Sequence, residues 1–198
     1  MTAPGAASGD QQGLRFVAAD PTLPPASGLL AAMEAEMLAL YGPGGCGVGV
    51  TAAPAATPAD GAAPAADTRG GGAAPGGQPH IGVPLEAGEL APPTGVYLVG
   101  WAGGEPVAGG GLRTIAPGIG EVKRMYVVPS WRGRGIGPRL LAALEAHAAG
   151  LGLAATRLDT GPKQAGAQRI YERAGYRPVG NYNANPHASF WGEKSLSG

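Results

Sequence analysis

The chain has 198 residues, enough for one domain with a real core and too few for two ordinary domains joined by a linker. Basic and acidic residues balance at 14 each, which excludes a general electrostatic pull toward nucleic acid or an anionic membrane, and no apolar run is long enough to span a bilayer. The 37 glycines and 20 prolines, with only 14% charged residues, predict that part of the chain stays outside the folded core. The single cysteine, Cys46, has no basic or histidine neighbour to activate its thiol and is read as inert. That usage and the lack of a basic-then-apolar leader predict a soluble, cytoplasmic protein.

Residues 1–12 read as a flexible tail ahead of one domain over 13–198. The first strand-like segment is LRFVA from Leu14 to Ala18, expected at a sheet edge. Leu29, Leu30, Met33, Met37, Leu40 and Tyr41 then recur at helical steps, with Ser27 as candidate cap and Gly42-Pro43 as the stop. From Gly42 to His80, Gly, Ala and Pro supply 28 of 39 residues, so about 42–80 is expected to be a disordered insertion.

The strand signals VYLVGW and PVAGGGLRTI flank Gly103-Gly104 and predict a hairpin; a third strand, Glu121 to Val128, follows the Pro117-Gly118 turn. A glycine-rich loop then opens a helix with Leu140, Leu141, Leu144, Ala148 and Leu151 on one stripe, and Pro138 is tolerated in its first turn. A strand over 155–160, a helix over about 164–174 and two final strands complete an α/β (α+β) domain, whose central sheet is mixed and flanked by helices.

The informative stretch is EVKRMYVVPSWRGRGIGPRLLAALEAH, from Glu121 to His147. A strand leads through Arg132-Gly133-Arg134-Gly135-Ile136-Gly137 directly into a helix, so backbone amides and the positive helix end converge beyond the strand, a pyrophosphate cradle. Arg132, Arg134 and Arg139, with Lys123 and Arg124 nearby, concentrate positive charge there. The loop has neither the carboxylate spacing of a dinucleotide fingerprint nor the Gly-Lys-Ser/Thr of a P-loop.

Met125-Tyr126-Val127-Val128-Pro129 followed by Arg132, Gly135 and Gly137 resembles the coenzyme A motif of the GNAT superfamily of N-acetyltransferases. The resemblance implies a single GNAT-like domain with a mostly antiparallel sheet, acetyl-CoA as co-substrate and an amine as acceptor. It places the pantetheine arm on the backbone of Met125, Tyr126 and Val127, and the pyrophosphate on Arg132 and the amides of Gly133, Arg134, Gly135, Ile136 and Gly137. The run from Ala167 to Tyr176 is similar to the second family signature, which makes Tyr171 the candidate acid for the departing thiolate; the alternative is a packed helix residue. Gln164 stands where many members carry an asparagine that touches the cofactor.

A protonated amine cannot attack a thioester, so some group must take its proton. The resemblance makes Glu121 the candidate base, because it lies eleven residues before Arg132, the spacing at which histone-type family members place theirs; an ion pair with Lys123 or Arg124 is its alternative role. Asp159 is the second candidate and could equally orient the substrate ammonium. A strand bulge near Met125 to Val127 would free an amide for the oxyanion. Tyr182, Asn183 and Asn185 are expected to contact substrate or shape its pocket, with a hairpin turn at Asn185-Pro186 as the alternative. The three histidines do not form a metal site. The acceptor is expected to be a small-molecule amine or an exposed protein amino group, with no nucleic-acid or membrane partner and a homodimer as the candidate assembly. A non-catalytic acyl-CoA sensor is the alternative function.

Overall fold

The computed structural model describes residues 13–42 and 87–196. The expected tail over 1–12, nearly all of the expected insertion, Cys46 and His80 lie outside the described residues.

Among the described residues, seven strands and three helices follow one another in the order β1 (Arg15–Ala19), α1 (Ala26–Tyr41), β2 (Gly95–Ala102), β3 (Glu105–Ala116), β4 (Ile119–Val127), α2 (Ile136–Gly150), β5 (Ala155–Thr160), α3 (Ala165–Arg173), β6 (Arg177–Pro178) and β7 (Phe190–Ser195). They form one sheet in the order β1-β2-β3-β4-β5-β7-β6. Every neighbouring pair is antiparallel except β4 and β5, so the sheet is mixed and mostly antiparallel, with β1 at its edge.

Strand β2 is buried along nearly its whole length because both faces of the sheet are covered. Val96 and Leu98 pack with Leu140, Leu141 and Leu144 of α2, while Tyr97 and Val99, pointing the other way, pack with Leu29, Leu30 and Met33 of α1. The β2–β3 hairpin turns at Gly103 and Gly104, whose φ values of 58° and 85° give the doubly left-handed turn that matches strand twist. The glycines of β3 answer a different need: a β-carbon at Gly111 would stand 2.6 Å from Leu90, and one at Gly109 would meet the Tyr97 hydroxyl.

Ser27 does not cap α1. The helix begins at Ala26 with Pro25 at the cap position, two residues before Ser27, and the Ser27 amide donates to the Leu23 carbonyl. A 3-10 turn at Ala87–Leu90 lies ahead of the first of these strand signals, and its Leu90 plugs the α1 core. No described helix is long and apolar enough to cross a membrane.

Candidate active site

The site arises where the one parallel pair separates. Strands β4 and β5 are in register only over Ile119–Glu121 against Ala155–Arg157, yet β4 runs on to Val127 and β5 to Thr160. Beyond the last pair they splay, and the residues of β4 from Val122 to Val127 border a cavity of about 580 Å³. Against β3, β4 carries an extra residue: Gly109 faces Tyr126 and Gly111 faces Lys123, so Arg124 and Met125 together oppose Gly110. Arg124 takes a φ of 60°, a left-handed conformation that a long side chain rarely adopts. The bulge expected near Met125 thus begins one residue earlier.

At the end of β4, Pro129–Trp131 form a 3-10 turn, and Gly135, with a φ of 74°, starts α2. Nothing lies within 4 Å of where a β-carbon would stand on Gly133 or Gly135, so this face of the loop is open to a ligand. Arg132 crosses back over β4, its Nε donating to the Val127 carbonyl at 2.9 Å and a terminal nitrogen to Glu36 of α1 at 2.6 Å. The bond to Glu36 holds the guanidinium above its ordinary pKa. Arg134 lies over the Trp131 ring. Arg139 is directed away from the cavity and reaches the Leu14 carbonyl at 3.4 Å, so it adds no charge to the loop face.

Helix α1 supplies a wall whose residues no sequence motif singles out: Met33, Glu36, Met37 and Leu40 border the cavity. Their spacing, one helical face, was the available signal. The C-terminal end of α1 is tied across the opening, because the Lys163 amide donates to the Tyr41 hydroxyl and Lys163 Nζ to the Leu40 carbonyl. Gln164 sets the turn between β5 and α3, accepting from Thr160 Oγ1 and the Gly161 amide at 3.0 Å each.

Of the expected site residues, Met125, Tyr126, Val127, Arg132, Gly133, Gly135, Ile136, Gly137, Gln164, Asp159, Asn185 and Tyr171 border this one cavity. Tyr171 is 7% exposed, and burial, reinforced by the Asp159 carboxylate, pushes its phenol well above the ordinary value. It therefore stays protonated at any physiological pH. Asp159 receives Lys123 Nζ at 2.6 Å on one oxygen and Asn185 Nδ2 at 2.5 Å on the other.

Glu121, Arg134, Tyr182 and Asn183 do not border the cavity. Glu121 is completely buried and surrounded by donors: Arg113 Nε at 2.8 Å, Tyr182 Oη at 2.8 Å, Asn183 Nδ2 at 3.1 Å and Lys123 Nζ at 3.3 Å. Burial opposes the charge of Arg113, but Glu121 and Glu89 together raise its pKa. The Tyr182 phenol is likewise pushed up, first by burial and then by Glu121. The observed setting is thus the ion-paired alternative, with Lys123 as one partner and Arg113 in place of Arg124 as the other. Among the described residues no group of histidine, cysteine, aspartate or glutamate side chains is arranged to hold a metal.

A splayed parallel pair, a bulged strand and an open glycine loop at a helix start suit an extended anionic cofactor, and the family match makes the protein an acyl-CoA-dependent transferase. The model of the acetyltransferase (GNAT) family matches residues 73–176, and the chain belongs to that family as an N-acetyltransferase that uses acetyl-CoA. It is 39% identical over 116 residues to an IAA acetyltransferase of Azospirillum brasilense, covering 57% of this chain and 75% of that protein. A shorter match, 42% over 59 residues, links it to an aminoalkylphosphonate N-acetyltransferase of Salmonella typhimurium, covering 30% of this chain and 38% of the other. Among solved structures it resembles an acyl-CoA N-acyltransferase from Klebsiella pneumoniae, with a TM-score of 0.62, 25% identity and 93% and 98% of the two chains covered.

Proposed function

We propose that the chain transfers the acetyl group of acetyl-CoA to the primary amine of a small molecule, by direct attack in a ternary complex. The carrying observation is that one cavity is bordered by the stretch of β4 that has parted from β5, the open loop of Gly133 and Gly135, Tyr171 and Asp159. The pantetheine arm lies along the backbone of Met125 to Val127, and the pyrophosphate sits on the amides from Gly133 to Gly137 at the positive end of α2. Small acceptors fit because α1 and the Asn185 loop wall the cavity, and the Salmonella relative is named for one such amine.

In the reaction the neutral amine attacks the thioester carbon, a C–N bond forms, and the oxyanion is met by an amide of bulged β4. Its collapse breaks the C–S bond, and Tyr171 donates its proton to the departing thiolate. Asp159, bordering the cavity as Glu121 does not, receives the amine proton, either directly or through water. Glu121 anchors Lys123 and the Tyr182–Asn183 loop from behind.

Initial rates over a grid of acetyl-CoA and amine concentrations test this scheme. Intersecting double-reciprocal lines are expected; parallel lines, the mark of a covalent acetyl-enzyme, would refute direct attack.

A further inference from the structure

We propose that Glu36 and Lys163 are positioning residues for the transfer: they hold the last turns of α1 as a strap over the acetyl-thioester arm, so that the arm meets the acceptor amine and not water. The proposal rests on the acetyl-CoA reading above and adds how the site keeps its thioester from hydrolysis.

The two halves of α1 are held differently. Its buried residues, Ala26, Leu29, Leu30 and Met33, all fall in the first half and join the core with Tyr97 and Val99. After Met33 no residue of the helix is buried, yet Glu36, Met37 and Leu40 border the cavity. Apolar packing therefore fixes the start of α1 and leaves polar contacts to fix its end.

Those contacts reach both sides of the splay. On the β4 side, Arg132 donates to Glu36 at 2.6 Å and to the Val127 carbonyl at 2.9 Å, so one guanidinium ties the helix to the strand end. On the β5 side, in the turn before α3, Lys163 Nζ donates to the Leu40 carbonyl at 2.8 Å and the Lys163 amide to the Tyr41 hydroxyl at 2.9 Å. Gln164 adds a bond to the Met37 sulfur at 3.2 Å. The Leu40 carbonyl belongs to the last turn, where carbonyls have no partner inside the helix and a cation is favoured. That turn contains no basic residue of its own, so the cation that serves it comes from across the cavity. A helical segment tied at both sides bridges the cavity that Met125, Tyr126 and Val127 border, along which the thioester arm lies in the reading above. Covering such a site expels water and suppresses side reactions.

The reaction held back is hydrolysis: water adds to the thioester carbon, a C–O bond forms, the C–S bond breaks, and the products are acetate, a proton and the coenzyme A thiol. It needs no acceptor, so it is read as thiol release from acetyl-CoA alone, at a concentration shown by calorimetry to saturate the protein. Glu36→Ala combined with Lys163→Met removes a tie from each side, and alanine keeps the helix propensity. Exposed polar ties are weak singly, and losing both is expected to raise the hydrolysis rate by about tenfold. Lys163→Met alone, which leaves the phosphate loop untouched, should give part of that rise, and it provides the readout should the double variant fail to fold. Hydrogen exchange gives a second measurement: the amides of Met37 to Tyr41 should exchange faster in the double variant, and those of Leu29 to Met33 should not. Equal hydrolysis by the folded parent and the folded variants, or unchanged exchange in the last turn of α1, would overturn the strap and leave the acetyltransferase reading standing. Failure of the folded parent protein to bind acetyl-CoA would instead overturn the reading beneath it.

Discussion

Replacing Glu121 by glutamine separates two roles that a carboxylate at this position could have. The residue is wholly buried, and each oxygen faces donors: Arg113 on one side, Tyr182, Asn183 and Lys123 on the other. An amide in either orientation turns its NH2 toward other donors and removes the charge that balances two cations. Breaking a buried pair costs about 3–5 kcal/mol. Arg113 keeps Glu89 and Lys123 keeps Asp159, which puts the expected loss near the lower end, about 3 kcal/mol. For a chain of this size that corresponds to a melting temperature lower by roughly 6–12 °C. Thermal unfolding and thiol-release kinetics on the same preparation provide both readouts. A hub predicts the thermal loss with kcat reduced by less than about tenfold, because the group does not border the cavity; a general base predicts a fall of about 10²–10⁴ in kcat. An unchanged melting temperature with a thousandfold lower kcat would refute the structural role.

Tyr171→Phe should lower kcat by about 10²-fold or more while leaving acetyl-CoA affinity near the parent value, as expected for a group that acts on the leaving thiolate. Because the folded protein raises the phenol above its ordinary value of about 10, the acid form persists through that pH, and kcat should show no alkaline fall from Tyr171 between about pH 8 and 10. A limb in that range that vanishes in the phenylalanine variant would contradict this. Gly135→Glu places a carboxylate in the open loop at a φ of 74° and should abolish acetyl-CoA binding in calorimetry, with the fold checked by circular dichroism. Leu144→Ala, at a fully buried position between α2 and the sheet, should cost about 2–5 kcal/mol in denaturant unfolding.

Much of the architecture is legible in local pattern. The hairpin at Gly103-Gly104, the strand over Ala155–Thr160 and the three helices follow from period, turn residues and stop signals, and the element order matches the expectation. The loop from Arg132 to Gly137 is also readable, since a strand, a glycine loop and a helix start are adjacent in the chain. Ser27 shows the limit: a good capping residue is passed over when tertiary packing sets the cap two residues earlier, at Pro25.

Sequence by itself determined the backbone plan and the identity of the loop, because both depend on neighbours a few residues apart. Tertiary structure alone decided the destinations of the charged side chains. Glu121 meets Tyr182 from 61 residues away, Arg132 meets Glu36 from 96, and Asp159 meets Lys123 from 36. No periodicity encodes such meetings. A buried charge settles wherever the fold brings it a partner, since leaving it unpaired costs several kcal/mol, as a rough measure. Helix α1 becomes a wall of the cavity for a related reason: its apolar face needed cover, and the splay between β4 and β5 left its last turns overhanging open space.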